Sequence, residues 1–188
     1  MSAIYSQKFQ RCIAFVIKEE GGFVNDPNDP GGATKFGVSI RAHRDDIGDL
    51  DRDGDIDAAD VQLVSIEQAI KIYHDEFWQA IRGEELFDSL ALLLLDTAVN
   101  CGKVTAIKLL QRSVGVSDDG VFGPATMANV PTLDRWLLPE AVLRLIAERE
   151  LYYRGLKKFP LYGKGWLARL YRAKRLAVQM AAEAKGQA

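Results

Sequence analysis

Apolar residues recur at helical spacing over Phe9, Ile13, Val16 and Ile17, and Gly21-Gly22 then breaks the pattern, so the first predicted helix ends at Glu20. From Gly21 to Val38 the composition turns to Gly, Pro, Asn and Asp. Asp26-Pro27, Asp29-Pro30 and Gly31-Gly32 are turn signals there, and only Phe23, Val24, Phe36 and Val38 could form short strands. Ile66, Ile70, Tyr73, Phe77 and Ile81 mark a second helix, with Glu67 and Lys71 as an i,i+4 pair. Leu86 to Val99 is apolar on nearly every side, which describes a central helix packed all round. Past Gly102, the residues Val104, Ile107 and Leu110 lead to the turn Asp118-Asp119-Gly120. Pro124 and then Pro139 each open a helix at its first position, the second running through Val142, Leu143, Ile146 and Tyr153. Lys157 to Gly165, with its glycine and proline breaks, predicts a separator before a terminal helix carrying Trp166, Leu167, Leu170, Tyr171 and Val178 on one side. The expected chain is mainly α, with one β-like patch beside Glu20.

Composition narrows the class without fixing a function. A length of 188 residues with 48% apolar side chains is enough for one real core, and it excludes disordered, collagen-like and fibrous chains. Leu90 to Leu95, the most apolar run, is far shorter than the roughly 20 residues of a membrane span. The N-terminus carries charge where a signal peptide needs its apolar stretch, so no secretory signal is expected. Cys12 and Cys101 have no metal-ligand spacing around them and are expected as free thiols. The net charge of -2 conceals a division: residues 1–133 carry net -9 and residues 134–188 net +7. The basic end is either a surface for an anionic envelope or a solvated helix face.

Chemistry concentrates at Glu20. Counted from Phe9, it lies close to three whole helical turns on, at the end of the apolar face, so its carboxyl sits against the edge of the core. Desolvation is how proteins keep a carboxylic acid protonated near neutral pH, ready to donate to a leaving-group oxygen. Gly21 and Gly22 let a substrate approach the backbone. The segment that follows adds carboxylates and a hydroxyl on rigid turns. One acid, with a second group that positions water or stabilises an oxocarbenium-like transition state, is the inventory of glycoside hydrolysis. Asp26 and Asp29 compete for the second carboxylate.

The run from Glu20 through Gly-Gly-Phe-Val-Asn-Asp-Pro-Asn-Asp-Pro-Gly-Gly-Ala-Thr-Lys-Phe-Gly to Ser39 resembles the Glu-Gly-Gly-Tyr signature of glycoside hydrolase family 108, the phage endolysin and secretion-associated N-acetylmuramidases, with Phe23 in place of the tyrosine. The resemblance implies a mainly α, α+β lysozyme-like fold, a helical bundle with a small hairpin beside the catalytic acid. It implies Glu20 as that acid. The similar spacing in phage-type lysozymes implies Asp29 as the second carboxylate and Thr34 as a water-positioning hydroxyl. Ile70 to Trp78 fits the family's aromatic helix, and Tyr73 and Trp78 are candidates to stack on sugar. Asn100 either donates to a sugar acetamido group or caps its helix. Leu109-Leu-Gln-Arg-Ser-Val-Gly-Val and Asp119-Gly-Val-Phe-Gly-Pro-Ala-Thr resemble the peptidoglycan-binding region often attached to the family. The expected division is a catalytic muramidase lobe over 1–90 and a helical peptidoglycan-binding-like lobe over 91–188, packed together.

A separate motif lies at 49–60. Asp49, Asp51, Asp53, Asp57 and Asp60 occupy positions 1, 3, 5, 9 and 12 of an EF-hand calcium loop, with Gly54 at 6, a carbonyl donor expected from Asp55 at 7 and Ile56 at 8. Six aspartates in twelve residues repel one another without a cation, so Ca2+ is the expected ligand. Asp60 departs from the bidentate glutamate usual at position 12.

Together these features predict a peptidoglycan hydrolase that cleaves the β-1,4 bond between N-acetylmuramic acid and N-acetylglucosamine, stabilised or regulated by calcium. A lytic transglycosylase and a non-catalytic calcium-dependent wall-binding module are the alternatives. Peptidoglycan is the expected partner, with the basic segment toward an anionic envelope. Neither nucleic acid nor stable membrane insertion is expected, and the chain is expected to be monomeric. It would wait in the bacterial cytoplasm until a holin or a secretion pathway releases it to the wall.

Overall fold

The structure, a computed structural model, describes residues 5–26, 31–130 and 138–186. Helix α1 (Gln7–Glu20) starts where the Ser6 hydroxyl accepts the Phe9 amide at 3.1 Å and stops at Gly21, whose φ is 77°. Its buried stripe is Phe9, Cys12, Ile13 and Val16. The chain then forms a small antiparallel hairpin, β1 (Thr34–Lys35) and β2 (Val38–Ser39), with Lys35 opposite Val38 and Val24 bridged to Thr34. Phe36 and Gly37 are the two turn residues, with φ of 51° and 77°. Two left-handed residues make the type I′ turn that short hairpins favour. The alternation of apolar residues assigns Phe36 to a strand; it is a turn residue instead, because the turn needs two positive φ angles and the glycine supplies one.

Two short helices follow that no periodicity announces, α2 (Ile40–Ile47) and α3 (Ala58–Leu63). Both are capped: Ser39 accepts the Ala42 amide, and Asp57 and Asp60 form a reciprocal capping box on α3. Helix α4 (Ile66–Tyr73) runs into a π turn over His74–Trp78, closed by the Gln79 amide on the His74 carbonyl at 3.2 Å. The extra residue lets Tyr73 and Trp78, five apart, both point inward. A 3₁₀ turn (Gly83–Glu85) leads into α5 (Asp88–Cys101), buried continuously from Ser89 to Ala98. Shortening any of its buried leucines to alanine costs about 2–5 kcal/mol.

Around α5 pack α1, α6 (Lys103–Val114), α8 (Leu138–Arg154) and α9 (Phe159–Gly186), while α7 (Pro124–Asn129) sits against α6. Pro124 opens α7 as expected. Helix α9 starts earlier than its glycines and proline suggest. Pro160 falls in the first turn, where its missing N–H costs nothing. Gly163 is accommodated because the Phe159 ring lies across it, 2.6 Å from where a Cβ would stand. The buried seam of α9 is Leu170, Ala173, Ala177, Met180 and Ala181; Tyr171 and Val178, expected on that side, are exposed.

One large core joins α1, α4, α5, α6, α8 and α9, and a separate small core of Ala33, Val38, Ile47, Val61, Val64, Ala69 and Ile72 holds the hairpin, α2 and α3 together. Cys12 and Cys101 are free, and burial pushes both thiols up, leaving them unreactive. Among the described residues no helix is long and apolar enough to cross a membrane. The architecture is a mainly α, lysozyme-like fold.

Candidate active site

Glu20 is the last residue of α1, with its side chain 19% exposed. Two acids at a helix C-terminus, Glu19 and Glu20, oppose the negative end of the helix dipole. Helix α9 offsets them with two arginines one turn apart. Arg172 grips Glu19 with two hydrogen bonds of 2.7 and 2.6 Å and holds its carboxyl below the usual glutamate range. Arg169 reaches Glu20 Oε1 at 2.7 Å.

Arg169 is itself fixed from below. Its Nε donates to Asp96 Oδ1 at 2.8 Å, and Asp96, fully buried in α5, takes a second bond from Arg149 at 2.6 Å. Arg149 is 1% exposed and also donates to the Tyr153 hydroxyl. Burial opposes its charge, but Asp96 more than compensates and holds its pKa above the ordinary arginine value. The result is an alternating row of acidic and basic side chains, Glu20, Arg169, Asp96, Arg149. Part of the asymmetry seen in the sequence is explained here: Arg149 and Arg169 carry their charge inside the molecule, each against a buried acid.

The other side of Glu20 meets the hairpin turn. A Cβ on Gly37 would stand 2.9 Å from both Cγ and Oε2 of Glu20 and 2.0 Å from the Tyr73 hydroxyl, so only glycine fits. Tyr73 donates to the Phe36 carbonyl at 2.9 Å, pinning the left-handed turn. Burial first, then the Glu20 carboxylate, push the Tyr73 phenol far up, so it stays a neutral donor. Thr34 lies in the strand that enters this turn, half-buried, with its hydroxyl donating to the Gly32 carbonyl at 3.2 Å.

Nearby, Glu76 accepts from His43 at 3.0 Å and from Lys103 at 3.1 Å. Burial works against its charge, yet these two partners leave its carboxyl below the usual range.

The remaining sequence candidates fall elsewhere. Asp29 lies outside the described residues, and Asp26 is exposed at the end of the segment before them. Trp78 is 1% exposed, tilted against Phe9 and bonded to Glu84, so it is core and offers no face to a sugar. Aromatic residues at helical spacing have that fate most readily, since they carry the largest apolar area. Tyr73 is likewise buried and acts through its hydroxyl, not its ring face. Asn100 belongs to the last turn of α5, where it donates back to the Asp96 carbonyl at 3.1 Å; the helix is ended by Gly102. The residues that sequence reasoning misses are Arg169, Asp96 and Arg149, whose partners lie far away in the chain.

Gln111 explains the downstream motif. Fully buried, its amide nitrogen donates to Asp119, the Val121 carbonyl and Thr126, and its oxygen accepts the Gly120 amide at 2.8 Å. The Gln, Asp-Gly and Thr of that pattern are thus one polar staple joining α6 to α7.

In the acidic loop, the carboxylate oxygens of Asp49, Asp51 and Asp53 lie within 4.8 Å of one another, as do those of Asp55, Asp57 and Asp60. Asp49 accepts the amides of Asp53 and Gly54, both at 3.1 Å. Asp60 differs from the rest. It is buried and accepts the amides of Asp57, Leu50 and Asp51, the first of which does most to hold its carboxyl below the usual aspartate range. These aspartates suit a hard, oxygen-seeking cation, and Asp60 also closes the loop through the amides it accepts.

Residues 13–102 match the family described as glycosyl hydrolase 108. The solved structure of Brucella abortus SagA covers 92% of this chain, and 95% of SagA is covered in turn, with a TM-score of 0.78 and 31% sequence identity. The chain belongs to the glycosyl hydrolase 108 family. Comparison with curated proteins yields no match. As a glycosyl hydrolase 108 protein it is a glycoside hydrolase, and the matched segment contains Glu20, Gly37, Tyr73 and Asp96 but ends well before Arg149 and Arg169.

Proposed function

We propose that this glycoside hydrolase is an N-acetylmuramidase, cleaving the β-1,4 bond between N-acetylmuramic acid and N-acetylglucosamine in peptidoglycan with Glu20 as general acid. The observation that carries the reading is the seating of Glu20: a single carboxyl, mostly buried, held between Arg169 and the Gly37 turn beside an exposed glycine-rich segment. Arg169 occupies Oε1, so the proton passed to the glycosidic oxygen is carried on Oε2. Water, positioned by Thr34, then adds to the anomeric carbon and gives its proton to the Asp29 carboxylate. Glu20→Gln removes the proton donor and should abolish release of reducing ends from purified sacculi while leaving the fold intact. Retained activity would sink the mechanism. Mass spectrometry of the released muropeptides distinguishes a transglycosylase, whose products end in an anhydro sugar, from a hydrolase.

Calcium forms the second part of the reading. Asp49, Asp51, Asp53, Asp57 and Asp60, with the Asp55 carbonyl, would hold the ion, Asp60 as a shorter ligand than the usual glutamate; the ion would relieve the repulsion among these groups. Equal hydrolysis rates and equal melting temperatures in chelator and in added calcium would exclude both a structural and a regulatory role. Release to the wall through a holin or a secretion pathway completes the reading, and fractionation of producing cells with and without the release system tests it.

A further inference from the structure

The structure assigns a second binding element, a trough along one flank of α9 that takes a neighbouring aminosugar of the glycan whose bond Glu20 cleaves. This inference rests on the muramidase reading for its ligand, and on α9 for its location. Tyr162, Gly165 and Arg169 follow one another at i, i+3 and i+7, so they lie on one flank of the helix. Arg169 touches Glu20 at one end of that flank. At the other end Tyr162 is 53% exposed and stacks on Trp166, ring centroids 5.9 Å apart and planes 28° apart. Trp166 rests in turn on buried Tyr153, at 5.5 Å, the residue that accepts from Arg149. An aromatic ladder therefore leads from the charge row beneath Glu20 to an open ring face at the surface.

Gly165 is the floor between these ends. A glycine inside a helix is destabilising, and the two glycines of this segment differ in what justifies them. Gly163 makes room for the Phe159 ring, whereas nothing in the protein lies within 4 Å of a Cβ placed on Gly165. Gly165 is exposed, so a sugar ring can reach the helix backbone there, between the exposed Tyr162 ring and Arg169. At 1.5 Å of rise per residue, Tyr162 stands about 10 Å along α9 from Arg169, roughly the length of a disaccharide. The occupant that fits is the continuation of the same β-1,4-linked chain, stacked by its apolar face on Tyr162.

The experiment compares the full chain with Tyr162→Ala and Gly165→Ala, using purified peptidoglycan sacculi, and reads co-sedimentation, initial rates over substrate concentration, and thermal melting. Loss of one aromatic contact should raise KM between about three- and tenfold with kcat changed less. Gly165→Ala should raise KM as well while its melting temperature holds or rises, because alanine is the better helix former; a merely structural glycine would not separate the two readouts in that way. Unchanged KM and unchanged sedimentation in both variants would overturn the trough. If the parent sediments without hydrolysing and the variants sediment less, the trough stands and the muramidase reading falls. If the parent neither sediments nor hydrolyses, both fall.

Discussion

Arg169 and Glu20, 149 positions apart in the chain, meet at 2.7 Å, and the meeting decides where the proposed acid points. Arg169 divides its fork between Glu20 and Asp96, which a lysine ammonium cannot reproduce. Arg169→Lys should therefore lower kcat for sacculus hydrolysis by roughly 10–100-fold, the cost of misplacing a catalytic group by about 1 Å. Circular dichroism should remain that of the parent. A variant with full kcat would show that Glu20 needs no arginine to orient it.

Asp96 carries the opposite kind of burden. Fully buried and shared by two arginines, it cannot be neutralised without leaving positive charge in the core. Asp96→Asn is expected to lose about 3–5 kcal/mol in urea unfolding, the range for breaking a buried pair from one side. Pairing it with Arg149→Met should recover part of that loss, because the second change removes the uncompensated cation.

Gly37→Ala tests how closely the hairpin presses on the acid. The added methyl collides with the Tyr73 hydroxyl and Glu20 in a backbone with φ of 77°. Left-handed strain alone costs about 1–2 kcal/mol. Activity should fall further than stability does, since the collision lands on Glu20. Combining the change with Tyr73→Phe should not restore activity, as Glu20 still meets the methyl.

Acid should act on the aspartate loop in two directions, read by thermal melts from pH 3 to 7 in chelator. Backbone amides, that of Asp57 foremost, depress Asp60, so its stabilisation is present above the unfolded pKa of about 4 and lost as pH falls through the lower folded value. Asp55 is raised, chiefly by Asp53, so its ionisation destabilises the fold as pH rises through the raised value. Asp60→Asn should lower the melting temperature at pH 7, Asp55→Asn should raise it, and both differences should shrink toward pH 3. A constant offset across the range would refute this assignment.

What could be seen in the chain beforehand was what is local. Glu20 is legible because the stop at Gly21-Gly22 fixes the end of α1, and the register of the aspartates because it repeats over twelve residues. Helix α3 is too short to show a period, and Asp57 and Asp60, legible only as loop acids, turn out to cap it. The row from Glu20 to Arg149 is illegible, because nothing near Asp96 or Arg169 in sequence encodes their pairing. Gly163 and Gly165 mislead in the same way: a break signal and a clearance signal use the same residue, and only the neighbouring rings tell them apart.

The two cores have a mechanical consequence. Ala33 and Val38, which flank Thr34 and the Gly37 turn, belong to the small core, while Val16 of α1 and Leu170 of α9, the helices that carry Glu20 and its arginines, belong to the large one. Lys35, beside Thr34, donates to the Gln62 carbonyl of α3, the helix that leaves the acidic loop. The two clusters meet on α4, which gives Ala69 and Ile72 to the small one and Ile70 and Tyr73 to the large one. A change in the loop at 49–60 therefore has a short path, through α3, Gln62 and Lys35, to the hairpin turn that presses on Glu20.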